Sequence, residues 1–405
     1  LQHFSYLSDE ERVQLFYKEP QPFSKDSPKE LLAYSLGAAL YMPGTRDSIA
    51  NDILSGKYLK GRHEGLSTIV ICLEDSISDS EIDSAEWNLV HQIQELTQSV
   101  ERGSFRQSEI PLLFIRVRTF KQVVVLLERL GDMARNLLCG FVFPKFTPEN
   151  GRLFLETLEE MNNQYQLNLY AMPILESPEI IFKEKRMETL LEIKSILDSY
   201  TNILNVRIGA TDFSGLFGIR RNKDTTIYDI AVIRDCISDI INIFGRSSSQ
   251  YVISGPVWEY FQGGERILKP QIRQTPFEAS YGRTGFNMRA EMIERFEDGL
   301  IHEVLLDKAN GLVGKTIIHP SHIKVVQAMN VVTLEEYLDA MAILNQEENV
   351  NGVIKSHYSN KMNEIKPHYN WAQVVLRKSH IFGVLQDGQT FIDLLGVKRE
   401  QNVYL

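Results

Sequence analysis

Cysteine is scarce in this chain. Three residues in 405 (Cys72, Cys139 and Cys236) lie far apart, with no Cys-x-x-Cys pair. An odd number at such spacing builds neither a disulfide framework nor a tetrahedral zinc site, so buried reduced thiols are expected. Long apolar runs are missing too: no stretch approaches the roughly 18 uncharged apolar residues of a membrane-spanning helix. The first segment, Leu1 to Pro20, carries Asp9, Glu10, Glu11 and Arg12 and has no signal-type apolar core. A cytoplasmic protein with no membrane partner is therefore expected. Positive charge is the minority sign, 43 Lys and Arg against 53 Asp and Glu for a formal net charge of −10, which argues against nucleic acid as a partner. The histidines offer no His-x-x-x-His pair, so a zinc-protease helix is not supported.

What is present is an ordinary globular balance of 43% hydrophobic and 24% charged residues, which excludes a fibrous or disordered chain. Eight short runs rich in Val, Ile, Leu and Phe recur: Gly37–Pro43, Thr68–Leu73, Leu112–Val117, Gly140–Pro144, Leu169–Leu175, Val206–Ala210, Tyr251–Gly255 and Val313–His319. Between them, Glu81–Val100, Phe120–Leu138, Gly151–Tyr165, Pro178–Tyr200 and Asp229–Phe244 have helical spacing. Continuous apolar strands alternating with helices make a parallel sheet covered on both faces. Eight such units predict an α/β fold, the (β/α)8 TIM barrel. The competing open doubly wound sheet usually shows a Gly-rich turn after its first strand, whereas here that strand ends in Tyr41-Met42-Pro43-Gly44-Thr45-Arg46. The expected organisation is an N-terminal arm over 1–32, the barrel over 33–330 and a C-terminal helical extension over 331–405. Thr333-Leu334-Glu335-Glu336 has the form of a capping box, and a second helix is expected from Trp371 to about Phe382. The extension is expected to pack on the barrel or on a neighbouring subunit. The alternative is a lid in which His368, beside Trp371, closes over the site.

An α/β barrel builds its active site at the C-terminal ends of its strands. Those ends carry Glu74 and Asp75 (second strand), Arg116 and Arg118 (third), Lys145 (fourth), Glu176 (fifth), Asp212 (sixth) and His319 (eighth). Each alone reads as the first polar residue after an apolar run; together they crowd reactive groups on one rim. Arg116 stands out because Val117 follows it in a strand buried on both faces, and a buried guanidinium needs an anionic partner. Glu176 and Asp212 end neighbouring strands. Two such oxygen ligands suit Mg²⁺, which keeps several waters, and a salt bridge to a nearby Arg or Lys is the alternative.

Taken in order, these segments resemble the citrate lyase β-subunit family, the HpcH/HpaI-type carbon–carbon bond lyases. The resemblance rests on Leu40-Tyr41-Met42-Pro43-Gly44-Thr45-Arg46, Val70-Ile71-Cys72-Leu73-Glu74-Asp75-Ser76-Ile77, Phe114-Ile115-Arg116-Val117-Arg118 and Phe143-Pro144-Lys145. It continues through Pro173-Ile174-Leu175-Glu176-Ser177, Gly209-Ala210-Thr211-Asp212-Phe213 and the run Gly311 to Ser321, and covers roughly residues 33 to 330. It implies a TIM barrel in which Glu176 and Asp212 hold Mg²⁺, Arg116 grips a substrate carboxylate, and Glu74 and Asp75 support the site. It further implies a homo-oligomer, often a trimer, and a coenzyme A thioester as substrate in the parent family. Arg46, Arg118, Lys145, Arg220 and Arg221 join Arg116 as expected substrate contacts. The chain departs from the family at Arg118, where an Asn is usual, and in its arginine-rich stretches at Arg220-Arg221 and from Gly263 to Arg289. These departures resemble a subgroup associated with bacterial tellurite-resistance and stress operons.

The implied chemistry is a retro-aldol or retro-Claisen cleavage, or the reverse condensation, through a metal-stabilised enolate of a 2-oxo acid such as pyruvate or oxaloacetate. Glu74, Asp75, His319 or a metal-bound hydroxide would serve as base. Arg220, Arg221, Arg283 and Arg289 would grip a phosphate or polyanionic tail on the substrate, the alternative being ion-paired surface arginines. Two rivals remain. Ala309 to Thr316 satisfies a loose phosphate-loop pattern, but a nucleotide site needs a strand before that loop and a helix after it, and Ile301–Lys308 reads helical. A non-catalytic barrel acting as a small-molecule sensor or scaffold would bind ligand without turnover.

Overall fold

The computed structural model describes residues 1–61, 63–261, 275–292, 295–345 and 352–395. Eight parallel strands close into a barrel: β1 (Ala38–Pro43), β2 (Thr68–Cys72), β3 (Leu112–Arg116), β4 (Leu138–Phe143), β5 (Tyr170–Leu175), β6 (Val206–Ile208), β7 (Ile253–Trp258) and β8 (Lys315–Ile317). β8 returns to β1 with Ala38 opposite Lys315 and Leu40 opposite Ile317, so no strand of this sheet is left with a free edge. All eight expected strands are present.

The side-chain period of two sorts each strand into two layers. Leu40, Ile69, Ile71, Leu113, Ile115, Val206 and Ile317 point outward into one large apolar cluster with the surrounding helices. Ala39, Val70, Phe114, Val142, Met172 and Ile174 point inward and fill the lower barrel. The same alternation places Tyr41, Cys72, Arg116, Glu176, Arg207 and Thr316 on the inner side, where they line a common cavity.

Two expected helices are interrupted. Phe120–Leu138 divides into Phe120–Arg129 and Asp132–Leu137, with Leu130 and Gly131 extended between them. Pro178–Tyr200 divides at Phe182, which is extended at φ −78° and ψ 126°. In both, the apolar spacing runs through the break, so periodicity alone does not reveal it.

The arm and the extension close the N-terminal mouth of the barrel. Phe23 and Leu32 of the arm belong to the inner cluster, and Lys29 Nζ donates to Thr201 O just ahead of β6. The strand Phe16–Lys18 pairs antiparallel with Val384–Leu385, and His3 stacks on Phe382 at 4.4 Å. Thr333 caps the helix Leu334–Leu344 with the expected capping box, and that helix pairs with Ile365–Phe382 over Ala340, Ile343, Ala372 and Val375. His368 accepts from Glu364 N within its own helix end. The extension is thus seated at the end of the barrel opposite to the C-terminal ends of the strands, and neither His368 nor Trp371 lines the cavity there. No described helix is long and apolar enough to cross a membrane.

Candidate active site

The cavity at the C-terminal mouth has a volume of about 390 Å³, within the usual range for small-molecule sites. It is lined by Tyr41, Cys72, Asp75, Arg116, Glu176, Arg207, Gly209, Thr211, Asp212 and Thr316, among others. Four carboxylates, Glu74, Asp75, Glu176 and Asp212, share this rim with the cations Arg116 and Lys145.

Arg116, the last residue of β3, places Nη2 3.1 Å from Glu74 Oε2 and 3.7 Å from Asp75 Oδ2. Its Nε–H donates to Cys72 Sγ at 3.1 Å, and its guanidinium lies 5.6 Å from the centre of the Tyr41 ring. Burial works against the cation, but the thiol, the phenol and Glu74 raise its pKa above the usual value. Lys145, two residues past the end of β4, is in the left-handed region at φ 45°, a conformation costly for a side chain other than Gly. That backbone turn aims its N–H at Glu176 Oε1, 2.8 Å away. Its ammonium donates to Glu74 Oε1 and lies 3.2 Å from Asp75 Oδ1 and 3.8 Å from Asp212 Oδ1.

Glu176 is only 3% exposed. Burial, and then the charge of Asp212, push its pKa up to about 8. Asp212 is raised as well, by burial and against the pull of Lys145, and it hydrogen-bonds Glu176. Gly209 makes this pairing sterically possible, since a Cβ there would fall 2.0 Å from Glu176 Oε2. Neither acid is locked onto a basic side chain: Glu176 accepts from a backbone amide, and Lys145 stands off Asp212. Among the described residues no three His, Cys, Asp or Glu side chains cage an ion, so Glu176 and Asp212 form an open pair. Two neighbouring carboxyls, one buried and one half-buried, whose pKa values are raised by burial and, for Glu176, by the charge of its neighbour, are a donor set a divalent cation fits.

The Glu74–Asp75 pair is split. Glu74 is raised, chiefly by burial, while Asp75 is lowered despite its partial burial by its hydrogen bond to Glu74 and by Arg116 and Lys145. Two neighbouring carboxyls pushed apart in this way are poised for opposite proton roles.

Other expected site residues fall elsewhere. Arg46 pairs with Asp52 and does not line the cavity. Arg118 braces the turn after β2: it pairs with Asp79 and donates to Leu73 O, Glu74 O and Ile77 O. Arg220 is exposed. Arg221 is buried, with Nε 2.7 Å from Glu259 Oε2, an ion pair to Glu303 and a bond to Val257 O. It reaches the cavity indirectly, through Val257 of its lining and through Glu259, which accepts from the Thr211 hydroxyl at 3.0 Å. Arg289 is buried against Asp298. Arg266, Lys269 and Arg273 lie outside the described residues, as does the side chain of Arg283. The expected polyanion grip is therefore not assembled by Arg220, Arg221 and Arg289, because two of the three are consumed by carboxylates.

His319 shares a hydrogen bond with Ser321 and stacks on Phe261 at 4.3 Å, outside the cavity lining. Lys315, of the loose phosphate-loop pattern, is wholly buried between Glu303 at 2.9 Å and Asp307 at 2.7 Å, after a helix and inside a strand. It is a structural cation. Arg207 was not among the expected site residues, though it carries the same signal as Arg116: a guanidinium inside a strand buried on both faces.

A closed parallel barrel with acids and bases gathered at its C-terminal mouth is the TIM-barrel architecture, in which that end of the strands carries the ligand site. The sequence model of the C–C bond lyases of the TIM-barrel fold matches residues 30–384, and the chain belongs to this family. No curated protein matches the sequence significantly. Among solved structures, CitE from Mycobacterium tuberculosis in complex with magnesium, acetoacetate and coenzyme A is 14% identical, with TM-score 0.50, covering 86% of this chain and 99% of that one. The malate synthase of Haloferax volcanii, in a magnesium/glyoxylate complex, is 13% identical with TM-score 0.47, covering 71% of this chain and 73% of that one. At such identities the likeness is one of fold.

Proposed function

We propose that this protein is a Mg²⁺-dependent carbon–carbon lyase, or the reverse condensing enzyme, acting on a 2-oxo acid. The observation that carries the reading is the open Glu176–Asp212 pair beside Arg116 in a closed-bottomed cavity. Glu176 and Asp212 would hold the ion, which when bound supplies positive charge to the enolate left by C–C cleavage. Arg116, already fixed by Glu74, offers its guanidinium to the substrate carboxylate and sets its orientation. Asp75, lowered and lining the cavity, takes the proton of a β-hydroxyl in the cleavage direction. Glu74, raised and hydrogen-bonded to Asp75, holds the proton that the carbanion carbon needs. Lys145 reaches all four acids, Glu176 through its backbone N–H and Glu74, Asp75 and Asp212 through its ammonium. His319 has no part in this assignment.

The test is calorimetric titration of pyruvate and oxaloacetate with Mg²⁺ and with a chelator. Binding is expected only with the metal and is expected to be lost in Glu176→Gln and in Asp212→Asn. Metal-dependent binding that survives both substitutions would overturn the reading.

A further inference from the structure

Arg207 is the middle residue of β6 and is 1% exposed. It points into the barrel, one inward position below Gly209, and lines the floor of the cavity. Its Nη2 donates to Thr316 Oγ1 at 2.6 Å, and Nη1 reaches Asn205 Oδ1 only at 3.5 Å. Its Nε has no hydrogen-bond partner, and no described carboxylate pairs with it. The Tyr41 ring lies 5.7 Å from its Cζ and 5.6 Å from that of Arg116, so both guanidiniums neighbour the same ring.

This setting differs from that of every other buried arginine at hand. Arg135, Arg186, Arg221 and Arg289 each meet at least one carboxylate. A guanidinium has five N–H donors and a charge that is costly to remove from water, and one hydroxyl does not compensate it. The Arg207 guanidinium lines the cavity in which Arg116 offers a first anion site, and its Nε is buried there without a partner. A single uncompensated positive charge with a planar fork of donors matches a carboxylate, whereas a phosphate dianion calls for more charge than the floor provides.

We propose that Arg207, with Thr316, forms a second anion subsite on the barrel floor that receives a distal carboxylate, so that the enzyme selects diacids over monoacids of the same length. This rests on the reading of the cavity as the 2-oxo acid site and adds which 2-oxo acids it takes. The cavity, about 390 Å³, accommodates a short-chain acid extended from the rim to the floor. Arg207 is here a specificity-determining residue; bond cleavage is left to the rim.

The test uses the full-length protein and two matched pairs, oxaloacetate against 2-oxobutyrate and 2-oxoglutarate against 2-oxovalerate. Dissociation constants are measured with Mg²⁺ and with a chelator. In the wild type at least one diacid is expected to bind tighter than its partner by about tenfold to a hundredfold, the worth of a hydrogen bond to a charged group. Arg207→Met is expected to bring that ratio to about one, and Arg207→Lys to keep part of it, circular dichroism confirming that each variant folds. Equal binding of mono- and diacids by the wild type overturns the subsite whether or not the variants fold, and so does a preference that persists in Arg207→Met. Binding that ignores Mg²⁺ yet keeps an Arg207-dependent preference would sink the metal reading and leave the subsite standing. Metal-dependent binding with no preference does the reverse, and binding of none of the four acids sinks both.

Discussion

A Cβ added to Gly209 would stand 2.0 Å from Glu176 Oε2 and 2.4 Å from Glu176 Cβ. Gly209→Ala must therefore displace Glu176 from its seat against the Lys145 amide. We expect the variant to fold with a loss of about 1–3 kcal/mol, the usual cost of overpacking, and to bind Mg²⁺ at least tenfold more weakly. Calorimetric unfolding and metal titration check the two parts separately; unchanged metal affinity would show that the seat of Glu176 is not needed. At this scale the sequence is partly legible. Arg116, Glu176 and Asp212 announce themselves by following apolar runs. Arg207 is legible by the same rule, since it interrupts an apolar strand with a charge. Arg221 is not, because Glu259 and Glu303, which neutralise it, lie 38 and 82 residues away and meet it only in the folded chain.

At the scale of elements, β8 is tied to the helix Arg295–Ala309 by buried ions. Lys315, wholly buried, lies between Glu303 and Asp307, and Asp307 accepts from the Tyr228 hydroxyl at 2.6 Å. Lys315→Met would leave buried Asp307 with no cation and Glu303 with Arg221 as its remaining cation. A loss of about 3–5 kcal/mol in urea unfolding is expected, the cost of breaking a buried pair from one side. Replacing Lys315 and Asp307 together by apolar residues is expected to recover part of it; a single-variant loss below about 1 kcal/mol would show the cluster to be energetically idle. The eight strands were legible because a parallel strand covered on both faces must be apolar almost throughout. The breaks at Leu130–Gly131 and at Phe182 were not, since the helical spacing of apolar residues continues across both.

For the whole molecule, arm and extension lock the N-terminal mouth while leaving the charged mouth open. His3 sits at the centre of that lock, burial holding its pKa down to about 3, with Nε2 donating to Ser35 O. His322, after β8, is likewise lowered by burial to about 4. Both are neutral in the folded protein over a range where the unfolded chain protonates them below about 6.5. Unfolding thus takes up protons as the pH drops, and the stability present above pH 6.5 is lost progressively towards pH 4. Each histidine contributes about 1.4 kcal/mol per pH unit in that window. His3→Gln, which keeps a donor for Ser35, is expected to show a shallower fall of melting temperature between pH 6.5 and 4; an identical slope would mean that His3 is protonated in the native state. By itself, the sequence determined the barrel and which residues stand at its strand ends, because strand period and strand–helix alternation are local properties of the chain. Only the tertiary structure decided which charges cancel and which remain free. Barrel closure brings β1, β6 and β8 to one floor and leaves Arg207 without a carboxylate partner, while Arg221 is spent on Glu259 and Glu303, far off in sequence, and Lys315 on Glu303 and Asp307 of the preceding helix.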